Sequence, residues 1–80
     1  MTPIRIDEAL WSGAMAPEAI LLEWAAPDRA LVDKGLRIAE VMVEGCRHEI
    51  MAPASGRLMH ETEPLAVLEP GDSIGRIEPD

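Results

Sequence analysis

Side chains follow a period of two over residues 38–58, IAEVMVEGCRHEIMAPASGRL. This spacing is typical of strands with one buried face. The two alternating runs are separated by Glu44 and Gly45, and glycine tolerates the positive φ that a two-residue hairpin loop demands. The second run ends at the turn-forming residues 52–56. The pattern therefore predicts two antiparallel strands folded about a tight turn at Glu44-Gly45.

Shorter runs on both sides of this hairpin predict further β structure. Residues 3–6 alternate and predict an edge strand. Residues 18–24 contain helix-favouring types, but the run is short and lies between prolines, so we interpret it as a strand. Residues 25–29 predict a turn, since proline fixes φ and aspartate can bond the local backbone. Residues 7–17 and 61–66 show no clear pattern, and their conformation stays open.

The chain also repeats itself once. Residues 32–41 recur as residues 67–77, with one residue inserted before the glycine, at a period of about 36 residues. Each copy predicts a glycine turn that leads into an outer strand, and Trp24 matches His60 further upstream. Two copies are too few for a solenoid. They predict two similar half-domains related by an internal two-fold, packed sheet on sheet in an all-β fold.

Composition and charge narrow the class of protein. Eighty residues make one domain, residues 1–80, and Trp11 and Trp24 are its only aromatic residues, so the core must be aliphatic. Fifteen acidic against seven basic residues give a charge of −8, which opposes binding to nucleic acid and anionic membranes and favours either a basic protein partner or no charged partner. We find no leader pattern and no apolar run long enough for a membrane helix, and expect a cytoplasmic protein. The single cysteine, Cys46, agrees with a reducing compartment.

Taken together, these motifs resemble the lipoyl and biotinyl carrier domains. The matching segments are V-x-x-G-x-x-I-A-E-V at residues 32–41, E-I-x-A-P-x-S-G at residues 49–56, and G-x-x-I-G-x-I at residues 71–77, so the resemblance covers about residues 19–78. It implies a flattened barrel-sandwich of two four-stranded antiparallel sheets with internal quasi-two-fold symmetry. Residues 61–65 depart from the Gly-Asp turn that the family carries there.

In this family a lysine on the exposed hairpin is acylated with lipoate or biotin. Counting from either side of the hairpin places that lysine at Gly45, between Glu44 and Cys46, and glycine has no amine to acylate. Lys34 is the only lysine of the chain. It lies in the glycine turn of the first repeat, where the family carries ordinary polar residues, and we interpret it as a solvated loop charge.

The remaining chemistry-bearing residues favour structural roles. Cys46 is expected to be a small, half-buried side chain rather than a reactive thiol. Cys46, His48 and His60 could form part of a metal site, but their spacing is unlike the usual zinc frameworks, and we predict no metal. Trp24 is expected in the core. No nucleotide-binding loop or catalytic triad occurs, so we do not expect an enzyme.

Three hypotheses follow for the function. The first is a non-catalytic, cofactor-free lipoyl-like module that binds protein partners, as an accessory of a 2-oxo acid dehydrogenase or carboxylase-type assembly. The second is a working lipoyl or biotin carrier modified at Lys34 or Cys46. The third is a domain that binds a small molecule or a metal.

Overall fold

The computed structural model describes residues 1–7 and 18–79, and Trp11 with the rest of residues 8–17 lies outside that range. Eight short strands form in the described residues. They are β1 (Thr2–Arg5), β2 (Ala19–Trp24), β3 (Leu31–Val32), β4 (Arg37–Val43), β5 (Cys46–Met51), β6 (Gly56–His60), β7 (Val67–Leu68) and β8 (Ser73–Glu78).

The strands make two four-stranded antiparallel sheets, in the orders β1-β8-β6-β3 and β5-β4-β2-β7. The all-β sandwich expected from the sequence is therefore confirmed. The strands predicted at residues 3–6, 18–24 and on both sides of the Glu44-Gly45 turn are β1, β2, β4 and β5. The turn at residues 25–29 also forms, closed by the Ala30 N–H donating to Pro27 O at 3.2 Å.

Aliphatic side chains from both sheets fill the space between them. Leu21, Ile38 and Val41 from one sheet and Leu58 and Ile74 from the other are all completely buried. Each belongs to a strand that has neighbours on both sides, so the core is built mainly by the inner strands. Burying aliphatic surface is the main favourable term for such a fold, at roughly 25 cal/mol per Å².

The internal two-fold is visible in the strand order itself. Exchanging β1 with β5, β2 with β6, β3 with β7 and β4 with β8 turns one sheet's order into the other's. Backbone hydrogen bonds repeat 36 residues apart as well. The Ala30–Pro27, Leu36–Asp33 and Ala25–Ile38 bonds of one half recur as Ala66–Glu63, Asp72–Glu69 and Glu61–Ile74 in the other.

Left-handed backbone positions recur at the same spacing. Gly35 and Gly71 have φ of 91° and 85°, and Arg29 and Leu65 have φ of 70° and 71°. The glycines carry a visible sequence signal for such a turn, whereas arginine and leucine rarely adopt this conformation. Residues 61–65, which show no clear pattern in the sequence, therefore keep the turn of the first half.

One expectation about the repeats is wrong. β4 and β8, which follow the glycine turns, are the second strands of their sheets and not outer strands. β4 is consequently buried on both faces along most of its length, and Glu40 on its outward face is only 9% exposed. A bulge between Arg37 and Ala39 increases the burial of β4 further. Because of it, the side chains of the neighbouring residues Ile38 and Ala39 are both buried.

Candidate functional site

The Glu44-Gly45 turn closes the β4–β5 hairpin at one end of the molecule, which we call the hairpin end. Val43 pairs with Cys46, and the two loop residues have φ of 48° and 79°. Positive φ at both central residues is the signature of a type I′ turn, which matches the twist of the flanking strands. Both residues are exposed, and a Cβ added to Gly45 would meet nothing within 4 Å. A side chain there would have room, but it would have to tolerate the left-handed backbone.

Three glutamates form a row at this end of the sheet, one of them within the turn. Val43, Ala19 and Leu68 lie side by side in β4, β2 and β7. The residues just beyond them are Glu44, Glu18 and Glu69, and all three are exposed. We call them the glutamate row. Sequence reasoning missed the row because it depends on the register of strands that are far apart in the chain.

A second acidic line crosses the outward face of the same sheet, where Glu23 and Glu49 lie on either side of Glu40. Like charges directly opposite one another destabilise a sheet. Two arginines offset this repulsion, since Arg47 Nη1 lies 3.1 Å and Arg37 Nη1 3.5 Å from the Glu40 carboxylate. Glu40 is therefore a structural carboxylate, held by its neighbours on the strand face.

Cys46 is exposed, so the expectation of a half-buried side chain is wrong. It is the first residue of β5, which has one neighbour, β4, among the described strands and so lies at the edge of its sheet. Being next to the turn at the end of the sheet, it lacks the cover that Val43 receives from β2. The thiol therefore faces solvent beside Gly45.

Lys34 lies at the opposite end of the hairpin. It stands in the 33–36 turn just before β4, whereas the Glu44-Gly45 turn follows β4's last residue. The seven residues of β4 at about 3.3 Å each separate the two turns by roughly 20 Å. The Lys34 N–H donates to Ser55 Oγ at 2.9 Å, and its exposed side chain agrees with a solvated loop charge. An arm on Lys34 would leave the fold far from the hairpin turn.

Trp24 and His60, which the repeat aligns, meet face to face. Their rings are stacked with centroids 3.9 Å apart and an angle of 12° between the planes. The Trp24 Nε1–H donates to Thr62 O and the His60 Nε2–H donates to Ala26 O, each at 2.9 Å. These carbonyls are themselves 36 residues apart, so the pair straddles the internal two-fold. Trp24 is half-buried against the core, close to the position expected for it.

The three suggested metal ligands are not brought together. Cys46 and His48 belong to β5, whereas His60 belongs to β6 in the other sheet and is stacked on Trp24. Within residues 1–7 and 18–79, no three His, Cys, Asp or Glu side chains are grouped so that they could hold a metal ion.

An open groove of about 420 Å³ lies at the end of the molecule that carries Lys34. Asp33 and Ser55 are the polar side chains among its lining residues, and the Ser55 hydroxyl already accepts the Lys34 N–H. The residues that line it are Leu31, Val32, Asp33, Ser55, Gly56 and Pro79.

The fold shifts the ionisation of the Asp28 carboxyl. Its Oδ1 accepts the His60 backbone N–H at 2.8 Å, and this bond, with a smaller contribution from the nearby His60 and Arg29 charges, lowers the pKa of Asp28 below its ordinary value. Hydrogen bonding to the charged form of a carboxyl favours that form. Asp28 thus fastens the turn at residues 25–29 to β6.

Comparison with known proteins adds no relative to these observations. The chain matched no model of a known protein family, and a search of curated proteins found no significant match. In the residues that the structure describes, no helix is long and apolar enough to cross a membrane.

Proposed function

We propose that this chain is a lipoyl- or biotinyl-like domain that has no attachment lysine and acts, without catalysis of its own, as a cytoplasmic protein-interaction module. Its partners would be subunits of a 2-oxo acid dehydrogenase or carboxylase-type assembly. The observation that carries the proposal is the Glu44-Gly45 turn. It is exposed at one end of a quasi-two-fold β-sandwich and offers no side-chain amine, and the resemblance to the carrier domains implies a lysine at this place.

The position of Lys34 supports the cofactor-free form of this proposal. Roughly 20 Å of strand separates it from the hairpin turn. A ligase that recognises the hairpin would not reach it there. Cys46, by contrast, is exposed directly beside the turn, and this favours a thioester or disulfide at Cys46 as the second candidate. A mass increase that maps to Cys46 would select this alternative.

The glutamate row supplies the surface by which the module would bind. Glu44 is part of the turn and Glu18 and Glu69 lie beside it, and a basic face on the partner would be attracted to them. Charges at the rim of an interface mainly affect the rate of association and its dependence on salt. Binding through this end should therefore weaken as the salt concentration rises.

Affinity purification with two charge-matched variants tests the proposal. The variant E18Q/E44Q/E69Q neutralises the glutamate row, and E23Q/E63Q/D33N removes the same charge from elsewhere on the surface. We expect subunits of a 2-oxo acid dehydrogenase or carboxylase to co-purify with the native sequence and with the second variant, and to be lost with the first. Recovery of none of these subunits, or equal loss with both variants, would contradict the proposal.

A further inference from the structure

Among the strands of residues 1–7 and 18–79, the four outermost leave different edges unpaired. β3 and β7 are only two residues long. β1 has four residues and contains Pro3, which cannot donate a backbone hydrogen bond. β5 has six residues, Cys46–Met51, and no proline. An unprotected edge of this length is a template for pairing with another strand.

The backbone of β5 offers its free hydrogen bonds at alternate residues. The Ala52 N–H donates to Leu36 O, and Ala52 O accepts the Gly35 N–H, so residue 52 bonds toward the β4 side. In an antiparallel strand this direction alternates, and the closing pair of the hairpin, Val43 and Cys46, has the same parity. Arg47, Glu49 and Met51 therefore point their N–H and C=O groups away from the sheet.

The equivalent edge in the other half is closed by proline. The Ile6 N–H donates to Asp72 O, and the Ala52 N–H donates to Leu36 O. The two acceptors are 36 residues apart and are therefore equivalent positions of the two halves. Ile6 thus corresponds to Ala52, and Pro3 corresponds to Glu49. The missing N–H of Pro3 is one that would have pointed outward, which is a known way to protect an edge strand. Glu49 keeps its outward N–H.

We propose that β5 pairs with β5 of a second copy of this chain, antiparallel, about a two-fold axis that passes between the two His48 residues. The two sheets would then join into one continuous eight-stranded sheet. This inference concerns the β5 edge and stands independently of the function proposed for the hairpin end.

The charges of Arg47 and Glu49 favour this pairing register over the two registers centred on the adjacent residues. With His48 on the axis, Arg47 lies opposite Glu49 of the second copy, and both residues have outward backbone groups, so each pair can exchange hydrogen bonds. An axis at Glu49 would place two glutamates opposite each other, and an axis at Arg47 would place two arginines opposite each other. Opposite charges across a strand pair stabilise it and like charges destabilise it.

The side chains involved are available for this pairing. The Arg47 side chain is 71% exposed although it contacts Glu40. Glu49 is exposed and makes no ion pair with other described residues. Met51 is 45% exposed and adds apolar surface on the same outward face. A single strand edge is much smaller than the roughly 800 Å² per partner of a stable interface, so the dimer should be weak, forming at roughly 0.1–1 mM.

Sedimentation equilibrium of the full chain in 0.15 M salt is the first test, with E49K as the variant. Lysine at 49 would face Arg47 of the second copy in both symmetry-related pairs, and we expect dimerisation to weaken about tenfold or more. Within one copy the same lysine lies opposite Glu40, so the monomer should be no less stable in urea. A native sequence that stays monomeric at 1 mM, or E49K that dimerises equally well, would overturn the proposal.

Disulfide trapping tests the register independently of affinity. In C46S/H48C the two new cysteines would face each other at a Cα separation of about 4.5 Å, which a disulfide can bridge. The native Cys46 residues would lie about 13 Å apart along the strands, beyond that reach. Under glutathione oxidation we expect C46S/H48C to cross-link at least tenfold faster than the native sequence, and adding E49K should slow it. Equal or faster cross-linking through Cys46 would exclude this register.

Discussion

The two halves of this molecule share one backbone but differ in what they present to solvent. One half closes its strands with the exposed Glu44-Gly45 turn, whereas in the other half the equivalent strands, β8 and β1, are not joined by a turn and pair with Ile77 opposite Thr2. Turns and hydrogen bonds recur at 36 residues even where the side chains differ. The shared backbone holds the sandwich together, and the hairpin end is where the two halves diverge chemically.

The largest expected change in the free energy of unfolding is at Gly75, whose equivalent in the other half is Ala39. A Cβ at Gly75 would collide with the backbone carbonyl oxygen of Met59, so G75A should destabilise the fold by about 3 kcal/mol. The reverse change, A39G, only removes a buried methyl group and should cost about 1–2 kcal/mol. Urea unfolding of both variants measures the difference. Equal losses at the two positions would show that the halves are less distinct than the structure indicates.

The next largest loss of stability is expected at the stacked rings of Trp24 and His60. W24A removes the larger, half-buried ring and should cost about 2–3 kcal/mol, while H60A should cost about 1 kcal/mol. Because the rings are in contact, the double mutant should lose less than the sum of the two, by about 1 kcal/mol. A double-mutant cycle in urea gives this coupling directly. Strict additivity would mean that the stack contributes nothing to stability.

The sequence predicted the sandwich well because its strongest signals are local. Glycine at 35, 45 and 71 and the alternating runs mark turns and strands that depend on few distant contacts. Arg29 and Leu65 could not be predicted as left-handed turn residues, because tertiary hydrogen bonds such as Arg29 N–H to Leu58 O hold them there.

The chemistry of the candidate site was harder to predict than the fold. The glutamate row and the exposure of Cys46 both depend on which strands are neighbours. Those neighbours come from strand pairings between residues as far apart as Ala19 and Leu68, for which the chain has no local signal. By contrast, the alternating pattern was enough to predict that Gly45 lies in the hairpin turn, because the two strands of the hairpin are contiguous in the chain.

A smaller loss of stability is expected for substitutions in the Glu44-Gly45 turn. G45K and G45A both force a side chain into a left-handed backbone and should each cost about 1 kcal/mol, with little steric clash. Only G45K should become a substrate for a lipoyl ligase in vitro, detected as a mass increase on residue 45. The alanine variant is the matched control for strain. A folded G45K that the ligase leaves unmodified would count against the proposed relationship to the carrier domains.

The smallest expected effect is the pH dependence of the stability that Asp28 contributes. Its pKa is lower in the folded state than in the unfolded chain, so its contribution to stability is present above about pH 4 and is lost as the pH falls further. D28N should therefore be slightly less stable than the native sequence at pH 7, and the difference should shrink toward pH 3. Urea unfolding across this range checks the sign, and a difference that grows on acidification would refute it.

We propose that this chain keeps the hairpin of a carrier-like domain without the attachment lysine. The intact mass of the protein purified from its native host under non-reducing conditions tests it most directly. We expect the mass of the unmodified chain. A lipoyl or biotinyl increment that maps to Lys34 would contradict the claim, because it would make the domain a working carrier whose arm leaves from the end opposite the hairpin turn.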